Sequence, residues 1–527
     1  LRYASLSDYF GAVFKAKLSS GWSTRGGEDF LPYSTLNCEG ISQPLLPLPC
    51  SSNAGPQFPE SWPQVWSGFF TSHAELKIKT RATGRDLRAA QQLEALHRSA
   101  RRGGGKMLPE DVRDAVSLLT HHDAISGTMG PGCGNDPKRG QNLHECSNLP
   151  MGTLGNTGEV AEDYAEQLLR TKESANAFRG TIAEQLLRDG ANKNSTATTN
   201  VFDAFASCEE QTVTVTVQNT LAWRAPSWLH VRVPTCVLAV RVQGPGGKAV
   251  RADLLPGGAL DCAEPLQHVC EQAKRTEKSG ALKKHNMLYF RSDAPPLGLA
   301  SYTIDLVSST ANSWRGVASL ADVSVTSYAE RESVNVTNVF FQMSFCAGRL
   351  SAMYLHNLDA GDAAPTYLPV RQSLSEYSSY SKQVNMSDTS GWSWVYAGAR
   401  SGSYLLHPSA ATPGPVSGAY EHPLLSVVSG KFVTEVRQRF SDSHTQVWRI
   451  YRQDDDPLAA GFVEIVYGLG PLVGNQEVVS GFDTGIQSQN IAADDLPVFF
   501  TDNNGFQMQR RVFSASRSFP DNTTSKV

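Results

Sequence analysis

The chain has 527 residues, 40% of them apolar and 19% charged, with a formal net charge of −4. That length accommodates about two to four domains, each able to bury a core. The balance of charge supplies no global field for nucleic acid or acidic lipid, and no run of about 18 apolar residues marks a membrane span.

The opening LRYASLSDYFGAVF lacks the basic-then-apolar order of a secretory signal and reads as mid-domain sequence. Residues 1–60 are mixed, with a Pro/Ser/Asn-rich stretch around 37–60. From about 63 to 190 the pattern is helical. RDLRAAQQLEALHRSARR places Leu87, Ala90, Leu93 and Leu96 near one face. Gly103–Gly105 interrupt it. Pro109 then opens a second helix, where a missing N–H costs nothing, and Val112, Ala115, Val116 and Leu119 form its stripe. A Gly/Pro/Asn-rich loop at 129–158 leads to a third helix over 159–188, with Val160, Tyr164, Leu168, Ala175, Phe178, Ile182 and Leu186 on its buried side. Three helices joined in this way predict a compact bundle.

After about 197 the period changes to two. QTVTVTVQN and SWLHVRVP alternate, and MLYFRS, SYTIDLV, DVSVTSY, KFVTEVRQRF, TQVWRIYR and GFVEIVYGLG read as further strands. The pattern predicts two β-sandwiches with a boundary in SSTANSWRG, near 310–320.

The nine cysteines suggest short local pairs in irregular stretches: Cys38 with Cys50, Cys133 with Cys146, and Cys262 with Cys270. Cys208, Cys236 and Cys346 are left over and read as free, buried thiols. N-glycosylation patterns stand at Asn194, Asn335, Asn385 and Asn522. Together with the cysteines they favour a secretory or lysosomal lumen.

One stretch concentrates ionisable groups. In LLTHHDAISGT, His122 follows Leu119 by three residues and continues the buried stripe, while His121 is rotated about 100° away. A buried imidazole needs a hydrogen bond or a metal. His122 is therefore either a core or helix-capping histidine or one ligand of a metal site, and zinc takes three or four ligands. The aromatics of SWPQVWSGFF, including Trp66, fit either a packed core or a wall against a sugar ring.

Several segments match one family in order and approximate spacing. HHDAISGT, preceded by LLT and followed by EVAEDYAEQLLR, resembles the glycoside hydrolase family 38 α-mannosidases, most closely the lysosomal acid type. EDFLPYS followed by WSGFFTSHAELK, SGSYLLHP, and FTDNNGFQMQRR resemble further segments of that family, across nearly the whole chain. The resemblance implies an α+β multidomain chain. Residues 1–62 would end an N-terminal α/β barrel-like glycoside hydrolase domain and 63–190 would be a three-helix bundle. A small β-sandwich at 197–312 and the N-terminal part of a large, galactose-mutarotase-like sandwich at 318–527 would follow.

It also implies roles. His122 would bind Zn2+, Asp123 sugar hydroxyls, Trp66 the apolar edge of the sugar, and Tyr404 a sugar hydroxyl. The family hydrolyses terminal α-D-mannose from N-glycans and oligomannosides with retention, through a carboxylate nucleophile and a second carboxyl acid. Its nucleophile, its acid and its other three zinc ligands have no counterpart in residues 1–527. They are expected upstream of Leu1, so the zinc site is incomplete here and the isolated chain is expected to be inactive. The partners implied are mannose-containing oligosaccharides and the missing N-terminal part of the enzyme, in a lysosome, vacuole or secretory lumen. The Cys133 loop, and SHA at 72–74 where the family has SRP, depart from its pattern. The competing class is a non-catalytic carbohydrate-binding or structural β-protein derived from the same family.

Overall fold

A computed structural model describes residues 5–16, 34–35, 64–65, 68–71, 74–100, 107–109, 111–121, 124–125, 156–189, 212–257, 285–307, 317–356, 364–378, 412–454, 456–469, 476–486, 498–502, 508–512, 517–518 and 524–525. Contacts divide the chain into two units: Leu1–Ser67 with Ile486–Val527, and Gly68–Gly485.

The first unit opens with a helix at Leu6–Lys15. Ser5 and Asp8 form its capping box: the Ser5 hydroxyl accepts from the Asp8 N–H at 3.2 Å, and Asp8 accepts from the Ser5 N–H at 3.1 Å. Ser34–Thr35 pairs antiparallel with Gln64–Val65, and Val498–Asp502 pairs antiparallel with Met508–Val512. The C-terminal strand Thr524–Ser525 contacts Ser34–Thr35, and residues from 486 onward group with this unit.

The second unit opens with a short helix at Gly68–Thr71, followed by helices α1 (Ala74–Ala100), α2 (Asp111–Leu118) and α3 (Asn156–Asp189), which pack on one another. Leu87, Ala90, Leu93, Leu108, Val112, Ala175, Phe178 and Ile182 form one core cluster, and Leu76, Leu119, Ala124 and Leu168 another. On α1 the buried stripe drifts as a 3.6-residue period requires. Glu94 and His97 are buried where Leu96 is only half-buried. On α3 the buried Thr171 fills the gap between Leu168 and Ala175.

Strands β1 (Thr212–Gln218), β2 (Ser227–Pro234), β3 (Ala239–Gln243), β4 (Ala252–Leu255), β5 (His285–Ser292), β6 (Leu299–Leu306) and β7 (Val317–Ser319) form the small sandwich. Its sheets, β1-β6-β3-β7 and β2-β5-β4, share a core that includes Val215, Val242, Ile304, Leu254, Leu288 and Phe290. Strand β7 hydrogen-bonds to β3 at the edge of its sheet. The bundle docks on this sandwich: Gln92 donates to the Thr220 carbonyl at 2.9 Å, and Gln218 to the Ala89 carbonyl at 3.1 Å.

The large sandwich holds β8 (Ser324–Tyr328), β9 (Ser333–Thr337), β10 (Phe341–Cys346), β11 (Arg349–Leu355), β12 (Thr366–Pro369), β13 (Arg371–Ser378), β14 (Gly414–Pro415), β15 (Leu424–Ser429), β16 (Val433–Ser441), β17 (His444–Tyr451), β18 (Glu464–Leu469) and β19 (Gln476–Asp483). The sheet β8-β15-β16-β17-β18 packs against both β9-β10-β11-β12 and β14-β13-β19. Every pairing is antiparallel among the described strands.

One sheet is buried on both faces. In β4 all four residues are buried, and in β5 Asn286–Phe290 are buried without alternation. The inner face lines the small sandwich. The other face, with Leu255, Met287 and Tyr289, packs on Val428, Val433 and Tyr451 of the large one. A continuous apolar run such as MLYF suits a strand covered on both sides.

The cysteine assignments change in two places. Cys236, read as a leftover thiol, is disulfide-bonded. Cys346 is free but exposed, because it follows the inward Phe345 on β10 and so points to the outer face. The six cysteines of the proposed local pairs, Cys38, Cys50, Cys133, Cys146, Cys262 and Cys270, lie outside the described residues, as does Cys208.

Candidate functional site

The segment leading to His122 is anchored from both sides. Leu119, immediately after α2, is fully buried against Leu76 at the start of α1 and Leu168 on α3. Ala124 rejoins the same cluster. The described residues beside them are tied by backbone bonds. The Thr120 N–H bonds to the Ser117 carbonyl at 3.2 Å, the His121 N–H to the Leu118 carbonyl at 3.0 Å, and the Ile125 N–H to the His121 carbonyl at 3.1 Å. The Thr120 hydroxyl also donates to the Ser117 carbonyl at 2.6 Å. A helix C-terminus leaves carbonyls to satisfy, and these tightened bonds do so. His121 is exposed, as its rotation off the stripe predicts. His122 and Asp123 themselves lie outside the described residues, as do Trp66 and Tyr404.

The structure brings two other motifs together. EDFLPYS ends at Ser34, which pairs with Val65, and Thr35 pairs with Gln64. Gln64–Val65, just before Trp66 in the sequence, is therefore held beside Ser34–Thr35. Within the FTDNNGFQMQRR motif, Asp502 pairs antiparallel with Met508 and Thr501 with Gln509.

Lys77 escaped the sequence reading. It follows Leu76, the α1 residue that packs on Leu119, and burial lowers its ammonium pKa to about 8. The signal was present in HAELK, where a helical register places residue 77 beside the Leu76 anchor. Nothing in residue type alone shows how far the stem is desolvated.

Among the described residues no group of three or more His, Cys, Asp or Glu side chains could hold a metal. The donors expected at this corner are one imidazole and one carboxylate, and a zinc shell needs three or four ligands. This set by itself does not fit a zinc ion, and no step is routed through one. No helix among the described residues is long and apolar enough to cross a membrane.

Residues 64–186 match the α-mannosidase middle domain, a span that covers α1 to α3 almost entirely. The chain is 25% identical to a probable α-mannosidase of Arabidopsis thaliana over 462 residues, 85% of this chain and 38% of that protein. It is 25% identical to lysosomal α-mannosidase of Bos taurus over 538 residues, covering 100% of this chain and 41% of that one. With lysosomal α-mannosidase of Homo sapiens the identity is 26% over 530 residues, covering 97% and 40%. The chain thus spans about two fifths of the length of these relatives. Along this span it is similar to these α-mannosidases, and residues 64–186 are the part that matches the middle domain.

Proposed function

We propose that residues 1–527 are part of a retaining, zinc-dependent α-mannosidase that removes terminal α-D-mannose from N-glycans and oligomannosides in a lysosome, vacuole or secretory lumen. The observation that carries this reading is the middle-domain match on the three helices that anchor the HHD segment. In it His122 supplies one zinc ligand, Asp123 and Tyr404 bond mannose hydroxyls, and Trp66 packs the apolar edge of the ring. The first residues are the end of an α/β barrel-like domain, and the large sandwich is galactose-mutarotase-like. The ligands are mannose-containing oligosaccharides.

The family's nucleophile and its remaining zinc ligands match no residue of 1–527. The chain taken alone would therefore release no mannose, since loss of a nucleophile typically lowers a rate by many powers of ten. The test is turnover of a chromogenic α-mannoside by residues 1–527 with added zinc. No release is expected, while the full-length protein should turn over and lose activity in His122→Ala. Turnover by 1–527 that disappears in His122→Ala overturns the inactivity. Mannoside binding that ignores a chelator and survives His122→Ala, with no hydrolysis by the full-length protein, points instead to a carbohydrate-binding β-protein.

A further inference from the structure

Alternation along β9 sends Val336 into the core and leaves Ser333, Asn335 and Thr337 exposed on the outer face of the β9-β10-β11-β12 sheet. That face continues across the sheet. Thr337 pairs with Gln342, Gln342 with Tyr354, and Tyr354 with Tyr367, so one row crosses all four strands. The row ends in two tyrosine rings whose centroids lie 5.2 Å apart at an interplanar angle of 49°. Tyr367 is 56% exposed. Aromatic faces beside an amide and hydroxyls match the surface of a pyranose, which presents C–H faces to stack on and hydroxyls to bond.

The adjoining row begins at Asn335, opposite Ser344. Asn335-Val336-Thr337 is an N-glycosylation acceptor pattern. The Ser344 hydroxyl donates to Asn335 Oδ1 at 2.7 Å, and Nδ2 has no partner among the described residues. Glycosidic linkage at Nδ2 leaves that bond intact. Strand β9 lies at the edge of its sheet, paired only with β10 among the described strands.

We propose that Asn335 carries an N-linked glycan whose first sugars lie along Gln342, Tyr354 and Tyr367. The inference rests on the lumenal location in the reading above. The donor class is a polyprenyl-diphosphate-linked oligosaccharide and the catalyst is the cell's transferase. The Nδ2–C1 bond forms and the bond from C1 to the diphosphate oxygen breaks. The diphosphate leaves with the electron pair, and one amide proton is released to a base. With strands ~4.8 Å apart and a rise of ~3.4 Å per residue, Tyr354 stands ~12 Å and Tyr367 ~16 Å from Asn335, within the span of a short sugar chain.

The experiment is site-specific glycopeptide mass spectrometry on the full-length protein expressed in eukaryotic cells. Asn335→Gln and Thr337→Ala are each expected to remove one glycan. Thr337→Ala keeps the Asn335–Ser344 bond, so the loss is separable from local unfolding. A glycan held against the tyrosines is shielded from trimming enzymes. It should therefore stay sensitive to endoglycosidase H, and its processed fraction should rise severalfold in the Tyr354→Ala/Tyr367→Ala variant, at this site only. A bare Asn335 with Asn194, Asn385 or Asn522 occupied overturns the modification while the lumenal location stands. An occupied Asn335 processed identically with and without the tyrosines overturns the docking. No glycan at any of the four positions overturns the location and the proposal together.

Discussion

The Tyr289 phenol, in the small sandwich, donates a 2.5 Å hydrogen bond to Oε1 of Glu435, in the large one. Both residues are buried, and the same carboxylate is gripped by Arg437 at 2.6 Å and Arg449 at 3.1 Å. A second polar link lies nearby, where Asp253 Oδ2 accepts the N–H groups of Phe432 and Val433 at 2.6 and 2.7 Å. The joint between the sandwiches is therefore specified by charge-assisted bonds set among apolar contacts. Tyr289→Phe should cost about 1–3 kcal/mol, because it leaves one carboxylate bond unmade. Glu435→Ala should cost about 3 kcal/mol, since it removes the carboxylate that pairs the buried Arg449 and the half-buried Arg437. Chemical denaturation of residues 1–527 measures both, and equal small losses would show that the joint is not coupled in this way.

The same carboxylate sets an acid limit. Burial pushes the Glu435 pKa up, but Arg437 and Arg449 outweigh it and hold the pKa below its ordinary value of 4.5. A depressed folded pKa adds stability that is present above the unfolded pKa and lost as pH falls through the folded one. Stability should therefore decline below about pH 4 and more shallowly in Glu435→Gln, which has no proton to gain. Melting temperature against pH for the two proteins reads this directly.

Lys77 works in the opposite sense. Its folded pKa of about 8 lies below the unfolded 10.5, so the folded state disfavours the charged form at neutral pH. Stability from this group should rise as pH climbs from about 8 to about 10. Lys77→Met should stabilise at pH 7 by at most about 1 kcal/mol, since the side chain keeps solvent contact that screens the effect. An unchanged or lowered midpoint in the variant would show that the ammonium is needed where it stands.

Leu119 tests the anchoring of the HHD segment. Leu119→Ala removes a fully buried side chain packed between α1 and α3 and should cost about 3 kcal/mol. In the full-length protein, mannosidase activity should fall in parallel. Loss of stability with full activity would separate this cluster from the positioning of His122.

Gly348 is required by geometry. With Ala347 it forms the two-residue β10–β11 turn, with φ of 75° and 49°, and a Cβ on it would stand 2.0 Å from the Pro423 carbonyl oxygen. Its own carbonyl accepts from Gln438 at 2.7 Å. Gly348→Ala should destabilise by about 2 kcal/mol or more, combining backbone strain with that clash. A wild-type melting temperature would show that the turn relaxes freely.

Much of the fold is legible in the chain. QTVTVTVQN, SWLHVRVP, MLYFRS and TQVWRIYR all form strands, and the spacing of Val112, Ala115 and Leu119 marks the buried side of α2. These features follow from backbone period, which is local. The helix at Leu6–Lys15 was legible too, in the Ser5–Asp8 capping box, but the reading passed over it. Of the site, the sequence supports the motifs and the exposure of His121; the placement of His122, Asp123, Trp66 and Tyr404 lies outside the described residues.

Residue order by itself determined the helical and strand periods, the order of bundle and sandwiches, and the motifs shared with α-mannosidases, because each depends on neighbours within a few positions. Only the tertiary structure decided that Val317–Ser319 completes the small sandwich, that residues from 486 join the N-terminal unit, and that Glu435 is held by Tyr289, Arg437 and Arg449. It alone placed Asn335 on the face that carries Tyr354 and Tyr367. Tyr289 and Glu435 stand 146 positions apart in the chain, and which distant strands meet is set by the packing of whole sheets, which no local pattern encodes.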